Sequence, residues 1–443
     1  MKERVEKVVI IGAGYVGLPT AVLLARAGIS VHAVDVKREL VDAINDGTLR
    51  VEEDSINRLL EDPEVRGKLS AGADPEPADA FFICVPTPID YRRKIANLSN
   101  LKAACRTILP CLEPGNLVII ESTVPVLCTR ETVKPILESG GLEVGRDLFL
   151  AYCPERVLPG NAIEEITENA RVIGGVDERS TQKAAGLYRR FVNGSLHLAS
   201  DVEAEICKLA ENAFRDVNIA FASELAALCE SIGVDPMRVV RLANYHPRVN
   251  ILSPGIGVGG HCIPVDPWFI AEVDRVNSTL IQCARLINDL RPHRIAARIR
   301  EAVGGLSKPR IVAHGLAFKP NCRDLRASPA GQIVDLLRSE GYDVTAVDPL
   351  IEAGAYPGLV EMARDADLIA VLVEHDVTLQ EIAGREKEIL AAMRTPKILR
   401  FYPPVEVRSA PGFAAVASVG RVGAEFVAEA PDVKEHSKKE AGA

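Results

Sequence analysis

The sequence predicts an α/β chain. A doubly wound, mostly parallel sheet comes first, then a helical middle built around one long helix, then a second, smaller sheet of the same kind. Three observations predict it. Short apolar runs alternate with helical stretches from residue 7 to residue 151, the pattern turns helical from about residue 200 to residue 303, and a second strand–helix series begins at residue 310. Strands alternating with helices give parallel sheets, because a parallel pair needs a crossover and the usual crossover is a helix.

Taken in order, KVVII (7–11) and VHAV (31–34) read as buried strands flanking a helix over 15–27. AFFICV (80–85), LVII (117–120) and LFLA (148–151) follow, with helices expected over 98–110 and 126–138. Unbroken apolar runs of this length suit strands covered on both faces. Residues 200–232 read as a single helix. The second series runs through RIVAHGLAF (310–318), a helix near 328–340, VTAVDP (344–349) and LIAVLV (368–373), and shows no sequence repeat of the first. These shifts divide the chain into residues 1–199, 200–305 and 306–428, with a polar tail over 429–443 that is expected to be disordered.

A chain of 443 residues is too long for one core. Its 52 basic and 61 acidic residues leave a net charge of −9 with no long basic run, so nucleic acid is not an expected partner. The apolar segments are too short or too interrupted to span a bilayer, and MKERVEKVVIIGAGYVG lacks the form of a signal peptide. No membrane contact is expected, and the cytoplasm is the expected compartment. The ten cysteines lack metal-site spacing and a chain of this size needs no disulfide staples, so they read as reduced thiols and no metal is expected.

GAGYVG sets Gly12, Gly14 and Gly17 directly after the first strand. Gly12 permits the tight turn, Gly14 lets a pyrophosphate approach the backbone, and Gly17 lets the helix pack close to the strand. The helix N-terminus then faces the anion. Asp35 ends the second strand, where a carboxylate accepts hydrogen bonds from a ribose 2′-hydroxyl and repels a 2′-phosphate. The first sheet is therefore of the Rossmann type, and NAD is favoured over NADP.

The segment GIGVGGHCIPVDPW (255–268) places Cys262 after four glycines and four residues before Asp266. A structural cysteine normally sits within a helix or strand pattern, whereas a Gly-rich loop can present its sulfur to a ligand. On the long helix, Lys208, Asn212 and Arg215 share one face, which turns apolar through Ile219, Ala222 and Ala226. A face that turns apolar is covered, and a covered Lys and Asn need polar partners.

Together GAGYVGLP, CVPTP, ESTV, CPERVLPG, KLAENAFRDVN, HPRVN, GVGGHCIPVDP and AFKPNCRDLRASP, in this order over residues 7–350, resemble the UDP-glucose/GDP-mannose dehydrogenase family. HPRVN and Val265 resemble the branch that acts on UDP-N-acetylmannosamine, since members acting on UDP-glucose typically carry Lys at the Val265 position and those acting on UDP-N-acetylglucosamine, the other alternative, share GGHC and IPxDP but usually lack HPRVN. The resemblance implies a role for each matching residue. Cys262 is the nucleophile, Thr123 and Glu155 flank the reacting carbon, Lys208 and Asn212 stabilise an oxyanion, and Asp266 assists proton transfer. Gly12, Gly14, Tyr15, Val16, Gly17, Asp35, Pro86, Thr87, Thr123 and Arg326 hold NAD. Glu155, Arg156, Val157, Lys208, Asn212, Arg215, Gly255, Gly259 and Lys319 meet the UDP-sugar. His246 and Arg248 reach the substrate of a neighbouring subunit, which makes the middle segment a dimerisation domain and a homodimer or higher homo-oligomer the functional unit. The second sheet is implied to be a Rossmann-like UDP-sugar domain.

Oxidising CH2OH to a carboxylate removes four electrons, and one NAD accepts two, so an aldehyde must be retained between two oxidations. Covalent capture by Cys262 as a thiohemiacetal, then a thioester, achieves this. Lys208 or a water bound to Asp266 takes the first proton, and water near Glu155 or Asp266 hydrolyses the thioester. Lys208 and loop N–H groups are expected to acidify the thiol. A two-electron hydroxyacid dehydrogenase would need no loop cysteine, and a non-catalytic sugar-nucleotide-binding protein would not need the full set of catalytic residues.

Overall fold

The structure is a computed structural model that describes residues 5–157, 160–351 and 354–401. The expected tail at 429–443, and the end of the preceding segment at 428, lie outside the described residues.

The first sheet has eight strands: β1 (Lys7–Ile11), β2 (Ser30–Val34), β3 (Leu69–Gly72), β4 (Ala80–Ile83), β7 (Leu117–Ile120), β8 (Phe149–Tyr152), β9 (Arg171–Gly175) and β10 (Leu196–Ser200). A small hairpin, β5 (Ile89–Asp90) and β6 (Ile95–Ala96), stands apart. The strand order is β10-β9-β8-β7-β4-β1-β2-β3. Every pairing is parallel except β8 with β9, where Ala151 faces Gly175. β4, β7 and β8 are buried along their whole length, as their unbroken apolar sequences require. The second sheet, β11 (Arg310–His314), β12 (Asp343–Val347), β13 (Leu368–Val371) and β14 (Ile398–Arg400), is fully parallel with order β12-β11-β13-β14.

The two sheets share a local plan that their sequences hide. In the first, β1 leads through Gly12 to α1 (Gly17–Arg26). Gly12 has φ +96°, its N–H donates to Val34 O at 2.8 Å, and a Cβ there would stand 2.7 Å from Cys84 O. In the second, Gly315 has φ +83°, its N–H donates to Val347 O at 2.8 Å, and a Cβ would stand 2.3 Å from Val373 O. The acid that follows the neighbouring strand, Asp35 or Asp348, accepts backbone N–H groups from the loop after that glycine: Ala13 in the first case, Leu316 and Ala317 in the second.

Between the sheets run α2 (Asp201–Ser231), α3 (Pro236–Ala243), α4 (Asp266–Val273) and α5 (Thr279–Ala302). A capping box starts α2, with Ser200 and Glu203 each satisfying the other's backbone N–H. α2 and α5 are clasped by fully buried polar groups. Arg285 Nη1 donates to Asp216 Oδ1 at 2.5 Å, and Asn288 Nδ2 donates to the same carboxylate at 2.8 Å. Removing one partner of such a buried pair costs about 3–5 kcal/mol, because the remaining charge stays dry.

The helix expected over 126–138 is shorter. Residues Thr129–Val133 form a π-turn, and α-helical geometry holds only over Lys134–Glu138. Buried Glu205 accounts for the difference, since its two oxygens accept the N–H groups of Leu127 and Thr129 and hold that stretch as a turn.

Candidate active site

The C-terminal ends of β1, β2, β4 and β7 gather the residues expected to meet a dinucleotide, apart from Arg326, which follows β11. Gly14 has open space where its Cβ would be, so a phosphate can come close, while a Cβ on Gly17 would stand 1.9 Å from Gly12 O. No acidic side chain occupies the first turn of α1 and no side chain caps it, leaving its N–H groups for an anion. Asp35 takes Ala13 N–H on one oxygen and Lys37 N–H on the other, each at 3.0 Å, and keeps lone pairs for a ribose. Tyr15 is half exposed above this loop, and Val16 packs beneath it against the core. On the adjoining loops Thr87 donates its hydroxyl to Thr123 O at 2.5 Å, and Pro86 O accepts from Asn100 at 3.1 Å. These residues fit NAD, which supplies a hydride acceptor when bound.

The Cys262 thiol lies near enough to Tyr15 for the two groups' charges to interact. Cys262 O accepts the N–H groups of Val265 and Asp266 at 3.0 and 2.9 Å, a tight turn that leads straight into α4. Asp266 opens that helix and is 3 % exposed. Lys208 and Asn212, one turn apart on α2, are each 9 % exposed, so the face read from helical periodicity is covered at these two positions but not at Arg215, which is exposed. Asn212 donates to Asp266 Oδ2 at 2.6 Å. Burial pushes Asp266 up to about 6, while Lys208 and the Asn212 hydrogen bond pull the other way.

The expected acidification of Cys262 is not found. Burial and the Asp266 carboxylate hold the thiol above its ordinary range, and the nearby cations Lys208, Arg326 and Arg215 only partly offset them. The thiol is therefore protonated at neutral pH and needs a base when it attacks.

Glu155 is 9 % exposed and paired with Arg171 at 3.0 Å, while Arg156 N–H donates to its other oxygen at 2.6 Å. The Arg156 guanidinium is engaged by Glu211 and Ala170 O, and Val157 packs on the first core. Arg215 is exposed on α2. Gly255 O accepts from Arg291, and Gly259 is pressed against Phe318. Lys319 reaches over the Phe318 ring, and Arg326, ion-paired to Asp324, is close enough to Cys262 and Tyr15 to act on their charges. Arg248 and His246 stand apart. They are exposed in the turn after α3, which is tied to α2 by Asn218 Nδ2 donating to Asn250 O at 2.8 Å. Asn218 lies six residues beyond Asn212, roughly 9 Å along the helix.

Two charged residues went unnoticed in the sequence. Arg171 begins β9, and a cation opening an otherwise apolar strand was the available signal. Glu121, in ESTV, is fully buried between Thr20 of α1 and Tyr188, hydrogen-bonded to both. Burial raises it to about 7, with Arg171 acting against the shift.

A glycine loop shaped for a dinucleotide, a thiol near enough to its Tyr15 for their charges to interact, and a buried Lys–Asn–Asp group beside that thiol define an NAD-dependent oxidoreductase. The comparisons make the class specific. The chain belongs to the UDP-glucose/GDP-mannose dehydrogenase family, matching its NAD binding domain over residues 6–192, its central domain over 202–290 and its UDP binding domain over 312–400. It is 43 % identical over 383 residues to an NDP-N-acetyl-D-galactosaminuronic acid dehydrogenase of Ralstonia nicotianae, covering 83 % of this chain and 90 % of that one. It is 42 % identical over 376 residues to a UDP-N-acetyl-D-mannosamine dehydrogenase of Methanocaldococcus jannaschii, covering 84 % and 86 %. The structure of a UDP-D-ManNAc dehydrogenase from Pyrococcus horikoshii superposes with a TM-score of 0.83 at 37 % identity, covering 90 % of this chain and 97 % of that one. The chain is thus an NAD-dependent UDP-sugar dehydrogenase. Among the described residues, no helix is long and apolar enough to cross a membrane.

Proposed function

We propose that the substrate is UDP-N-acetyl-D-mannosamine, that its primary alcohol is oxidised to the carboxylate, and that Cys262 carries the intermediate. The observation that carries this reading is the buried group of Lys208, Asn212 and Asp266 beside the Cys262 turn. Lys208 and Asn212 supply donors to a developing oxyanion in a dry site, where they act most strongly. Asp266, ionised at neutral pH, takes the proton of the first oxidation. It returns that proton to the aldehyde oxygen as Cys262 adds to the carbonyl carbon, takes the thiol proton in its place, and, after losing it to water, takes the hydroxyl proton released in the second oxidation. After the second oxidation the acyl group is held as a thioester, and Glu155, fixed by Arg171, orients the hydrolysing water with Thr123. On the cofactor side, the glycine loop, Tyr15, Val16, Asp35, Pro86, Thr87 and Arg326 bind NAD. On the substrate side, the backbone and side chains at 155–157, Arg215, Gly255, Gly259 and Lys319 bind the sugar nucleotide. The mannosamine relatives and the HPRVN segment support this sugar, and the Ralstonia relative supports an N-acetylgalactosamine nucleotide as the second reading. The ten free thiols favour the cytoplasm.

The test is the NADH yield per sugar over a panel of UDP-N-acetylmannosamine, UDP-N-acetylgalactosamine, UDP-N-acetylglucosamine and UDP-glucose. Two NADH per UDP-N-acetylmannosamine, with the highest kcat/KM, is the expected result. One NADH per sugar rejects the four-electron reaction, and a different preferred sugar rejects the substrate.

We further propose that two copies associate through the middle segment and that His246 and Arg248 complete the partner's site. Phe214, Phe221 and Leu228 recur every seven residues on α2 and are 69 %, 53 % and 59 % exposed, an apolar stripe that calls for a cover. An arginine suits the forked recognition of a diphosphate. Arg248→Ala should mainly raise the KM for the UDP-sugar. At sugar concentrations well below the raised KM, where Arg248→Ala turns over slowly, mixing it with inactive Cys262→Ala should raise activity above that of either alone, because a mixed dimer holds one intact site. No recovery, with subunit exchange demonstrated, places Arg248 in its own chain's chemistry or in none.

A further inference from the structure

Residues 316–328 form a strap that leaves the end of β11 and comes to lie against the glycines before Cys262. A Cβ on Gly259 would stand 2.7 Å from Phe318 Cβ and 2.8 Å from Ala327 O, so only glycine admits the strap this closely. Gly260 N–H donates to Arg326 O at 3.0 Å, joining strap and catalytic loop by backbone. The strap carries Lys319 and Arg326.

Its anchorage lies on the opposite side, in the second sheet. Asn321, at φ +56°, a conformation Asn tolerates better than most residues, donates its N–H to His375 Nδ1 at 3.0 Å. Its side-chain oxygen accepts Asp376 N–H at 2.9 Å. A backbone N–H can only donate, so His375 Nδ1 is the acceptor, and the ring carries its proton on Nε2. That proton is donated to Asp348 Oδ2 at 3.0 Å. His375 and Asp348 are both fully buried. Asp348 also takes Leu316 and Ala317 N–H on Oδ2 and Leu350 and Ile351 N–H on Oδ1. A continuous hydrogen-bonded line thus runs from the core of the second sheet through the imidazole to the middle of the strap.

We propose that His375 is a positioning residue. Held by Asp348 and gripping the Asn321 amide, it fixes the strap, and through the strap it sets Lys319, Arg326 and the Gly259–Gly260 step against Cys262. The catalytic consequence rests on the roles proposed above for Lys319 and Arg326; the mechanical one does not.

Two substitutions divide the ring's two bonds. His375→Asn puts an amide oxygen near the place of Nδ1 and keeps the Asn321 bond while losing Asp348. His375→Gln puts an amide nitrogen near the place of Nε2 and keeps Asp348 while losing the strap. A purely structural role makes His375→Asn the worse variant, because it strips a donor from a buried carboxylate. The positioning role makes His375→Gln the worse one. Its KM for UDP-N-acetyl-D-mannosamine should rise about tenfold or more, as expected for a site loosened by a fraction of an ångström, with a smaller effect on thermal stability. Asn321→Gly, on the exposed strap, keeps the backbone N–H but drops the Asp376 bond, and should raise KM in the same direction without touching the core.

Hydrogen exchange over residues 316–327 and the alkylation rate of Cys262 by iodoacetamide, with exposed Cys283 as the internal control, read the latch without any sugar. Faster exchange and an altered Cys262 rate in His375→Gln and Asn321→Gly, but not in His375→Asn, support it. Unchanged exchange and alkylation in both overturn it, whatever the substrate proves to be. Loosened exchange with an unchanged KM overturns the catalytic consequence.

Discussion

Cys262→Ser is expected to bind NAD as the wild type does and to lose carboxylate formation by about a thousandfold or more, since a serine hydroxyl is a far weaker nucleophile at neutral pH. The wild-type thiol is held above its ordinary range, by burial first and Asp266 second. Its thiolate fraction at pH 7 is therefore small and grows roughly tenfold per pH unit below the pKa. Alkylation of Cys262 should accordingly rise with pH across the neutral range with no plateau there. Single-turnover measurement of uronate release checks the first point, and mass spectrometry of the Cys262 peptide checks the second. Wild-type turnover in the serine variant would falsify the covalent route.

Lys208→Met is expected to lower kcat by about 10²–10³, the usual loss when one donor to a developing oxyanion is removed from a dry site. A second effect separates this role from a packing defect. Asp266 sits at about 6, with burial raising it and Lys208 lowering it. Without the ammonium the remaining opposition is the Asn212 hydrogen bond, so the carboxyl must rise further. Activity that needs the carboxylate then appears only at higher pH, and the acid limb of the kcat profile should move upward from about 6. A limb that stays in place while kcat falls would show that Asp266 is not the titrating base.

The fold was legible because its strands are short apolar runs and its punctuation is glycine. KVVII followed by GAGYVG leaves little freedom, and the structure has the strand, the turn and the helix there. The covered face of α2 was legible from helical periodicity alone, since burial of Lys208 and Asn212 follows from the apolar residues further along the same face. What the sequence hid depends on distance in space. Whether Cys262 is acidified turns on the balance of Lys208 against Asp266 and burial, which residue spacing does not contain. Arg171 and Glu155 lie sixteen residues apart with the helix Ala162–Glu168 between them, and His375 and Asp348 come from different strand ends. The entry to the π-turn at Thr129–Val133 is held at Leu127 and Thr129 by Glu205, more than seventy residues away.

The paired acids Asp35 and Asp348 hold matching stations in two similar frameworks and live under different constraints. Asp35 is partly open and tied by two backbone N–H groups, so replacing it is felt mainly when a ligand arrives. Asp348 is closed over by four backbone N–H groups and an imidazole, so replacing it is felt while the chain folds. Cofactor preference can therefore drift over evolutionary time by changes at one station without endangering the architecture. The second framework has surrendered that freedom, and any retuning of its nucleotide recognition has to come from side chains on its loops.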